Sequence, residues 1–246
     1  MYERLCLVSP WMENGHIAKY LDNESLDTNR CLLLVLDVAL GVEFLHESGL
    51  VHGDLKPHNI LITPAGRACI ADFRRSSIAS PGFLSFSSNH GAGTLRYAAP
   101  EFLRDRTQGS FGTDVYAFGC VCYHIFTGKV PFSEVRTERA VFLQVVDGSR
   151  PTWPASRPRT RVLDNLWDLI QGCWKQNPIE RLTAQQIIQR LVGPGIQATA
   201  NQSTSDWGET LTARFCRSVQ MEPRLPSFSK LECMLFGEGL YGCMVY

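Results

Sequence analysis

The sequence lacks an excess of charge of either sign, a long apolar run and a secretory signal. Its 24 Lys and Arg balance 24 Asp and Glu, whereas a nucleic-acid or membrane-surface protein would need a basic excess. The most apolar stretch, residues 31–45, is interrupted by Asp37 and Glu43 and falls short of the roughly 20 residues that span a bilayer. Residues 1–8 show no basic region followed by an apolar one. We therefore expect a cytoplasmic protein that binds neither nucleic acid nor membrane.

Closely spaced cysteine pairs are also missing. The nine cysteines are scattered, and Cys120 and Cys122 stand one residue apart inside an apolar run. Zinc sites usually need C-x-x-C or Cys/His sets at defined spacing. The pattern favours reduced, mostly buried thiols over a metal site.

The apolar residues that are present repeat mainly at helical spacing. Between residues 26 and 47, Leu33, Leu36, Leu40 and Phe44 follow one another at steps of three and four residues, which predicts a helix in the core of the domain. Further helices are predicted at 112–127, 134–146, 162–174 and 183–191.

Short strands are predicted between these helices. Residues 60–63 and 67–71 are joined by the turn Pro64-Ala65-Gly66, which predicts a hairpin. A short buried strand is predicted at 5–8. Residues 74–98 are rich in Ser and Gly and predict a surface segment of unusual length, of the kind that is often functional.

A carboxylate, an ammonium and a carboxamide stand close together after the first long helix. The segment from residue 51 to 62 reads Val-His-Gly-Asp-Leu-Lys-Pro-His-Asn-Ile-Leu-Ile. Asp54 can accept the proton of an attacking hydroxyl, Lys56 can offset charge on a transferred phosphoryl group, and the amide oxygen of Asn59 can bind magnesium. Asp54 or Asn59 alone would be interpreted as a turn residue, but together they predict phosphoryl transfer.

This segment resembles the H-R-D-L-K-P-x-N catalytic loop of the protein kinase family, with Gly53 in place of the arginine. Residues 70–74, Ile-Ala-Asp-Phe-Arg, resemble the D-F-G element, with Arg74 in place of the glycine. Residues 93–101, Gly-Thr-Leu-Arg-Tyr-Ala-Ala-Pro-Glu, resemble the G-T-x-x-Y-x-A-P-E segment. Lys56, two positions after the aspartate, is typical of serine/threonine kinases. The resemblance extends to the tyrosine-kinase-like branch through Gly-Cys-Trp at 172–174 and Pro178.

The resemblance implies a fold and a function. The fold is α+β and mainly helical, a kinase-like C-terminal lobe with short β-hairpins at the catalytic cleft, over residues 1–192, followed by a largely disordered tail at 193–246. The function is transfer of the ATP γ-phosphate to Ser or Thr of a protein substrate. ATP and Mg²⁺ are the implied cofactors. The implied roles are the catalytic base for Asp54, electrostatic stabilisation for Lys56, and magnesium ligation for Asn59 and Asp72.

Scaffold roles follow from the same resemblance. Glu101 is expected to pair with Arg181, and Asp114 to anchor the backbone of the catalytic loop. Gly53 removes the arginine that binds an activation-loop phosphate in many kinases, so activation by that route is not expected. Arg74 removes the freedom of φ that glycine gives to the D-F-G turn.

Two elements of a complete kinase are not found before residue 52: a Gly-rich loop over the phosphates and a strand lysine. We therefore expect a truncated form that is inactive alone, with the N-terminal lobe largely absent. Ser9 aligns with the gatekeeper and Pro10-Trp11-Met12 with the hinge, so Met12 and Leu61 are expected to contact the adenine.

A rival interpretation is an inactive pseudokinase or isolated lobe that acts as a protein-interaction module. On either interpretation the cleft would expose apolar surface. We expect an N-terminal lobe or a partner protein to cover it.

Overall fold

The computed structural model describes residues 11–23, 26–73, 76–78, 94–105, 109–154, 160–196 and 198. These fall almost wholly in one unit, Met12–Ala200; a second unit comprises Met1–Trp11 and Asn201–Tyr246, of which only Trp11 is described. The predicted strand at 5–8, Ser9 and Pro10 of the predicted hinge, Arg74 and the tail beyond residue 198 lie outside the described residues.

Helices form most of the described part, as the sequence predicts, and the fold is mainly helical α+β. None of them is both long and apolar enough to cross a bilayer. In the described ranges the α-helices are α1 (Ile17–Asn23), α2 (Thr28–Glu47), α3 (Pro100–Asp105), α4 (Phe111–Thr127), α5 (Glu138–Val146), α6 (Arg161–Cys173) and α7 (Ala184–Val192).

Four short strands form two antiparallel pairs within the described residues. Strands β2 (Ile60–Ile62) and β3 (Ala68–Ile70) make the predicted hairpin, with Leu61 opposite Cys69. Strands β1 (Leu50–Val51) and β4 (Ser77–Ile78) pair across the catalytic loop. The second pair places the described start of the 74–98 segment against the residues that precede His52.

Helix α2 lies in the core, but not on the face that its strongest apolar repeat suggests. Asp27 caps its N-terminus by accepting a hydrogen bond from Arg30 N, and the helix packs against α4, α7 and the β2–β3 hairpin. Leu40 and Phe44, two members of the apolar repeat, are 41% and 68% exposed. Helix α2 is apolar on several sides, so spacing alone does not identify its buried face. The residues that are buried include Leu34, Val35, Leu36, Val38, Ala39 and Val42.

Helix α4 is the central helix, buried along nearly its whole length. A capping box between Ser110 and Thr113 starts it, and Gly128, at φ 67°, ends it in the left-handed conformation that glycine tolerates. The helix packs against α2 and α6. Because α4 is held on these sides, its N-terminal turn is a fixed support for the residues that bind to it.

Helix α5 begins four residues later than the predicted start at residue 134. Residues 131–134 form a turn, and Thr137 caps the helix by accepting a hydrogen bond from Ala140 N. Arg96 donates hydrogen bonds to the carbonyl oxygens of Pro131, Phe132 and Val135, and Val135 N donates to Phe132 O at 2.9 Å, so these bonds hold the turn that precedes the helix.

Candidate active site

The backbone of the predicted catalytic loop is anchored by the first turn of α4. The carboxylate of Asp114 accepts hydrogen bonds from His52 N at 2.8 Å and from Gly53 N at 2.9 Å. His46 Nε2, at the end of α2, lies 3.1 Å from the same carboxylate. Gly53 has a φ of 74°, a conformation that most side chains disfavour. The anchoring role predicted for Asp114 is confirmed.

The loop brings together three of the predicted site residues. Lys56 Nζ donates to Asp54 Oδ2 at 2.8 Å. Asn59 Nδ2 donates to the backbone oxygen of Asp54 at 2.8 Å and to Asp54 Oδ2 at 3.2 Å. The turn Pro57–Asn59 is a single 3₁₀ turn that closes this arrangement. Asp54 Oδ2 therefore accepts hydrogen bonds from both an ammonium and an amide.

His52 links this loop to the segment that carries Asp72. Its Nδ1 accepts a hydrogen bond from Asp54 N at 3.2 Å, and its Nε2 donates to Ala71 O at 3.1 Å. The ring is fully buried and meets the edge of the Phe73 ring at 5.6 Å between centroids. Accepting at Nδ1 and donating at Nε2 requires the neutral ring with its proton on Nε2. The sequence motif contains His52, but its bridging role becomes visible only in the structure.

Asp72 follows β3 directly and is partly exposed. Its φ of 64° is unusual for a residue with a side chain. The neighbouring Ala71 N donates to Asn59 O at 2.8 Å, so this backbone is held against the loop on both sides. The strain is thus fixed next to the predicted metal ligands. The effect predicted for Arg74 on this turn stays a prediction.

The β2–β3 hairpin that carries Asn59 and Leu61 is fixed to α2 by an ion pair. Asp37, the charge that interrupts the apolar run of α2, is buried, and Arg67 donates to both of its oxygens. Asp37 Oδ2 also accepts from Ala68 N at 3.0 Å. A buried charge needs such partners. A single carboxylate in an apolar helix therefore indicates, from sequence alone, that a cation binds there.

Met12 and Leu61 lie on neighbouring backbone segments. Gly15 N donates to Met12 O at 3.0 Å, and Ile62 N donates to Gly15 O at 2.9 Å. His16 forms a β-bridge with Leu61. Met12 and Leu61 are both partly exposed, whereas Ile60 and Ile62 are buried. Leu61 therefore points away from the core, as the predicted adenine contact requires.

Behind the loop, the Glu101–Arg181 pair is present as predicted. Arg181 Nη1 and Nη2 donate to the two carboxylate oxygens of Glu101, each at 2.6 Å, and Nη1 also donates to Gly112 O at 2.8 Å. Because α3 and α4 meet this one guanidinium, the segment that ends at Glu101 is held against the central helix.

A small cleft that is open to solvent lies beside the catalytic loop. Asp54 is itself buried but lines this cleft, as a base must if it accepts a proton from an external hydroxyl. The cleft is lined by Gly53, Asp54, Leu55, Tyr97, Ala98, Ala99, Phe102, Thr113, Asp114 and Ala117.

One wall of the cleft is fixed by a neutral pair. Tyr97 donates its hydroxyl to His124 Nδ1 at 2.8 Å. Burial lowers the pKa of His124 to about 4 and raises the pKa of Tyr97, so both groups are neutral near pH 7.

Comparisons with known proteins match most of the chain to one family. Residues 2–192 match the protein kinase domain. The chain is 31% identical over 186 residues to serine/threonine/tyrosine-protein kinase HT1 of Arabidopsis thaliana, covering 74% of this chain and 45% of that protein. It is 35% identical over 191 residues to receptor-interacting serine/threonine-protein kinase 4 of Mus musculus, covering 75% and 24%. It is 33% identical over 214 residues to activin receptor type-1 of Mus musculus, covering 75% and 42%. The chain thus spans less than half the length of each of these relatives.

Proposed function

Because the chain belongs to the protein kinase family, in its tyrosine-kinase-like branch, we propose that it carries the catalytic loop of an enzyme that transfers the γ-phosphate of ATP to Ser or Thr of a protein. The observation that supports this most directly is the Asp54, Lys56 and Asn59 cluster, held in place by Asp114. Lys56 favours Ser and Thr over Tyr as the acceptor, since a lysine two positions after the catalytic aspartate is typical of serine/threonine kinases.

In the proposed reaction, Asp54 accepts the proton of the acceptor hydroxyl while the hydroxyl oxygen forms a bond to the γ-phosphorus. The bond from that phosphorus to the bridging oxygen breaks, and ADP leaves with its electron pair. Lys56, already 2.8 Å from Asp54 Oδ2, both orients the carboxylate and offsets the negative charge on the transferred group. His52 fixes the backbone at Asp54 N, which keeps the base in place.

The donor set fits magnesium. Asn59 uses its amide nitrogen for Asp54, so its amide oxygen is the atom that can act as a ligand, and the Asp72 carboxylate stands one residue beyond the backbone that Asn59 holds. Carboxylate and amide oxygens are the hard ligands that Mg²⁺ prefers. Bound there, the ion would offset charge on the nucleotide phosphates.

Met12 and Leu61 are the proposed contacts for the adenine ring, because a partly exposed apolar pair on adjacent segments offers a flat surface for it. We also propose that the chain is a truncated form that is inactive alone. An N-terminal lobe or a partner would cover the cleft, and the protein would be cytoplasmic.

The proposal is tested by phosphate transfer in the longest native polypeptide that carries this sequence. Radiolabelled ATP and peptide libraries with a single Ser, Thr or Tyr measure both transfer and acceptor choice. We expect Ser and Thr to be labelled and Asp54→Asn to lower kcat by at least about 100-fold, because general base catalysis contributes on that order. Circular dichroism checks that the variant folds. Asp168→Asn, the same change at an exposed position of α6, is the matched control.

A second candidate function is a non-catalytic interaction module. The observation that favours it is the exposure of Leu40 and Phe44, one turn apart on α2. Absence of transfer from the wild-type polypeptide, or unchanged transfer in Asp54→Asn, would overturn the catalytic proposal. The first of these results would favour the interaction module.

A further inference from the structure

Two histidines that have no role in the proposed chemistry lie in contact beside the catalytic loop. The rings of His16 and His58 lie 4.7 Å apart between centroids, at an interplanar angle of 43°. His58 is exposed in the turn Pro57–Asn59, directly between Pro57 and Asn59, and His16 precedes α1 and is partly exposed. They form a pair on the rim of the site, because His58 directly precedes Asn59, whose Nδ2 lies 3.2 Å from Asp54 Oδ2.

The pair presents hydrogen-bond donors. His16 Nδ1 accepts from Lys19 N at 3.2 Å, so the neutral ring carries its proton on Nε2 and donates from that atom. Lys19 is exposed, and its Cδ lies 3.7 Å from the place that a Cβ on Gly15 would take, so its side chain lies along the same rim. On the side of the loop, burial, the neighbouring His16 and then the Lys56 ammonium lower the pKa of His58.

The surrounding charges favour an anion over a cation at this rim. Lys19, Lys56 and the histidine N–H groups are donors, and an incoming Lys or Arg side chain has donors only. Such a side chain would meet like groups, whereas a carboxylate or phosphate would accept from them. Burial lowers the pKa of His124 of α4 and keeps this ring neutral, while the Asp22 carboxylate of α1 raises that pKa and His58 lowers it.

We propose that His16 and His58 form a subsite that binds a carboxylate or phosphate group of the acceptor protein near the Ser or Thr to be modified. The inference rests on the proposed function, because it takes the acceptor hydroxyl to be at Asp54. It deepens that function by naming the substrate class: acceptors with an acidic or already phosphorylated residue within about four positions of the target, a span of about 14 Å in an extended chain.

Peptide binding tests this subsite without relying on transfer. Peptides with Ala in place of the target Ser carry one Glu, phosphoserine, Gln or Lys at each position in turn, and fluorescence anisotropy measures their affinity for the same native polypeptide. We expect Glu or phosphoserine to bind at least about tenfold more tightly than Gln at one position, since hydrogen bonds to a charged acceptor are stronger than those to an amide. The Glu and phosphoserine arms separate a carboxylate site from a phosphate site.

A charge exchange gives the sharper test. In His16→Glu/His58→Glu, the preference should reverse, so that Lys peptides bind better than Glu peptides. Gln185→Glu/Gln186→Glu adds the same charge on α7, at exposed positions, and should leave the preference unchanged. Gln185→Glu alone is the fallback control, because Gln186 also caps α7.

Equal affinity for all four peptide series, or a preference that survives the exchange, would overturn the subsite. An anion preference that reverses as expected, in a polypeptide that transfers no phosphate, would support the subsite and overturn the catalytic proposal instead. The two proposals therefore fail by different measurements.

Discussion

Arg181 shows how one buried residue can hold several segments at once. Besides its two bonds to Glu101, its guanidinium donates to Gly112 O and to Lys175 O, and it lies over the Tyr116 ring at 5.2 Å. Replacement by Met would leave a carboxylate without its counter-ion inside the fold.

We predict that Arg181→Met lowers the free energy of unfolding by about 3 to 5 kcal/mol, measured by urea denaturation. Arg139→Met, at an exposed position of α5, should change it by less than about 0.5 kcal/mol. The double variant with Glu101→Gln should be less destabilised than Arg181→Met alone, because it removes the uncompensated charge. If Arg181→Met and the double variant lost the same free energy of unfolding, the uncompensated charge would not be the cause.

His124 should make stability depend on pH. Burial lowers its pKa in the folded state to about 4, against an ordinary value of 6.5, so the unfolded state binds more protons between these values. The stability is therefore complete above pH 6.5 and falls as the pH drops towards 4. We expect a loss of about 2 kcal/mol at pH 5 relative to pH 7.

The His124→Gln variant isolates this effect. Glutamine still offers an oxygen to the Tyr97 hydroxyl but does not titrate. Thermal denaturation between pH 7 and pH 5 should show a smaller decrease in stability for the variant than for the native chain, by about 2 kcal/mol. Parallel pH profiles for the two proteins would show that another group is responsible.

At the site, the sequence grouped the candidate residues but did not show how they are held. Asp54, Lys56 and Asn59 are close in the chain, so the local motif was sufficient to group them. The bonds from His52 to Ala71 and from Arg67 to Asp37 join residues 19 and 30 positions apart. No local spacing carries that information, and the pairing depends on how the hairpin packs on α2.

At the scale of elements, the contact between α4 and α6 depends on a glycine. A Cβ on Gly119 would lie 2.8 Å from Trp174 Nε1 and 2.9 Å from Cys173 Cβ. Both neighbours are buried, so neither can move aside easily. We predict that Gly119→Ala costs about 1 to 3 kcal/mol through overpacking, although Ala is the better helix former.

Gly41→Ala is the matched control for this prediction. It is also in a helix, α2, and its Cβ would lie 2.8 Å from Ile70 Cδ1. That atom is the end of the Ile70 side chain, which can rotate about χ2, and Ile70 Cγ1 at 3.1 Å needs to shift only slightly. Chemical denaturation should therefore show a smaller loss for Gly41→Ala than for Gly119→Ala. A similar loss in both variants would mean that α4 and α6 are no more rigidly packed than α2 and β3.

The elements that the sequence predicted are those with strong local signals. The long helices α2, α4, α6 and α7 have capping residues and apolar periods, and their ends agree with the predicted ones within two residues. Helices α1 and α3, of seven and six residues, were missed, since so short a helix depends on packing for its stability. Strand β4 was missed because β1, its partner among the described residues, lies more than 20 residues earlier.

At the scale of the molecule, one continuous core joins the described elements from Ile17 to Ala198. Helix α2 contacts α4, α7 and the hairpin, and α4 contacts α6. No described element has an apolar core of its own that is separate from this cluster. Such a unit should unfold in one cooperative step.

Tryptophan fluorescence and circular dichroism can test this cooperativity. Trp153, Trp167 and Trp174 lie in contact at ring-centroid distances of 5.4 and 5.8 Å, so they report on α6 and its surroundings. Far-ultraviolet circular dichroism reports on all helices. In a background with Trp11→Phe and Trp207→Phe, we expect both signals to change with the same urea midpoint, because loss of α6 would expose the core face of α4. A fluorescence transition at lower urea would show that α6 separates first, and the catalytic loop would then depend on α2 and α4 alone.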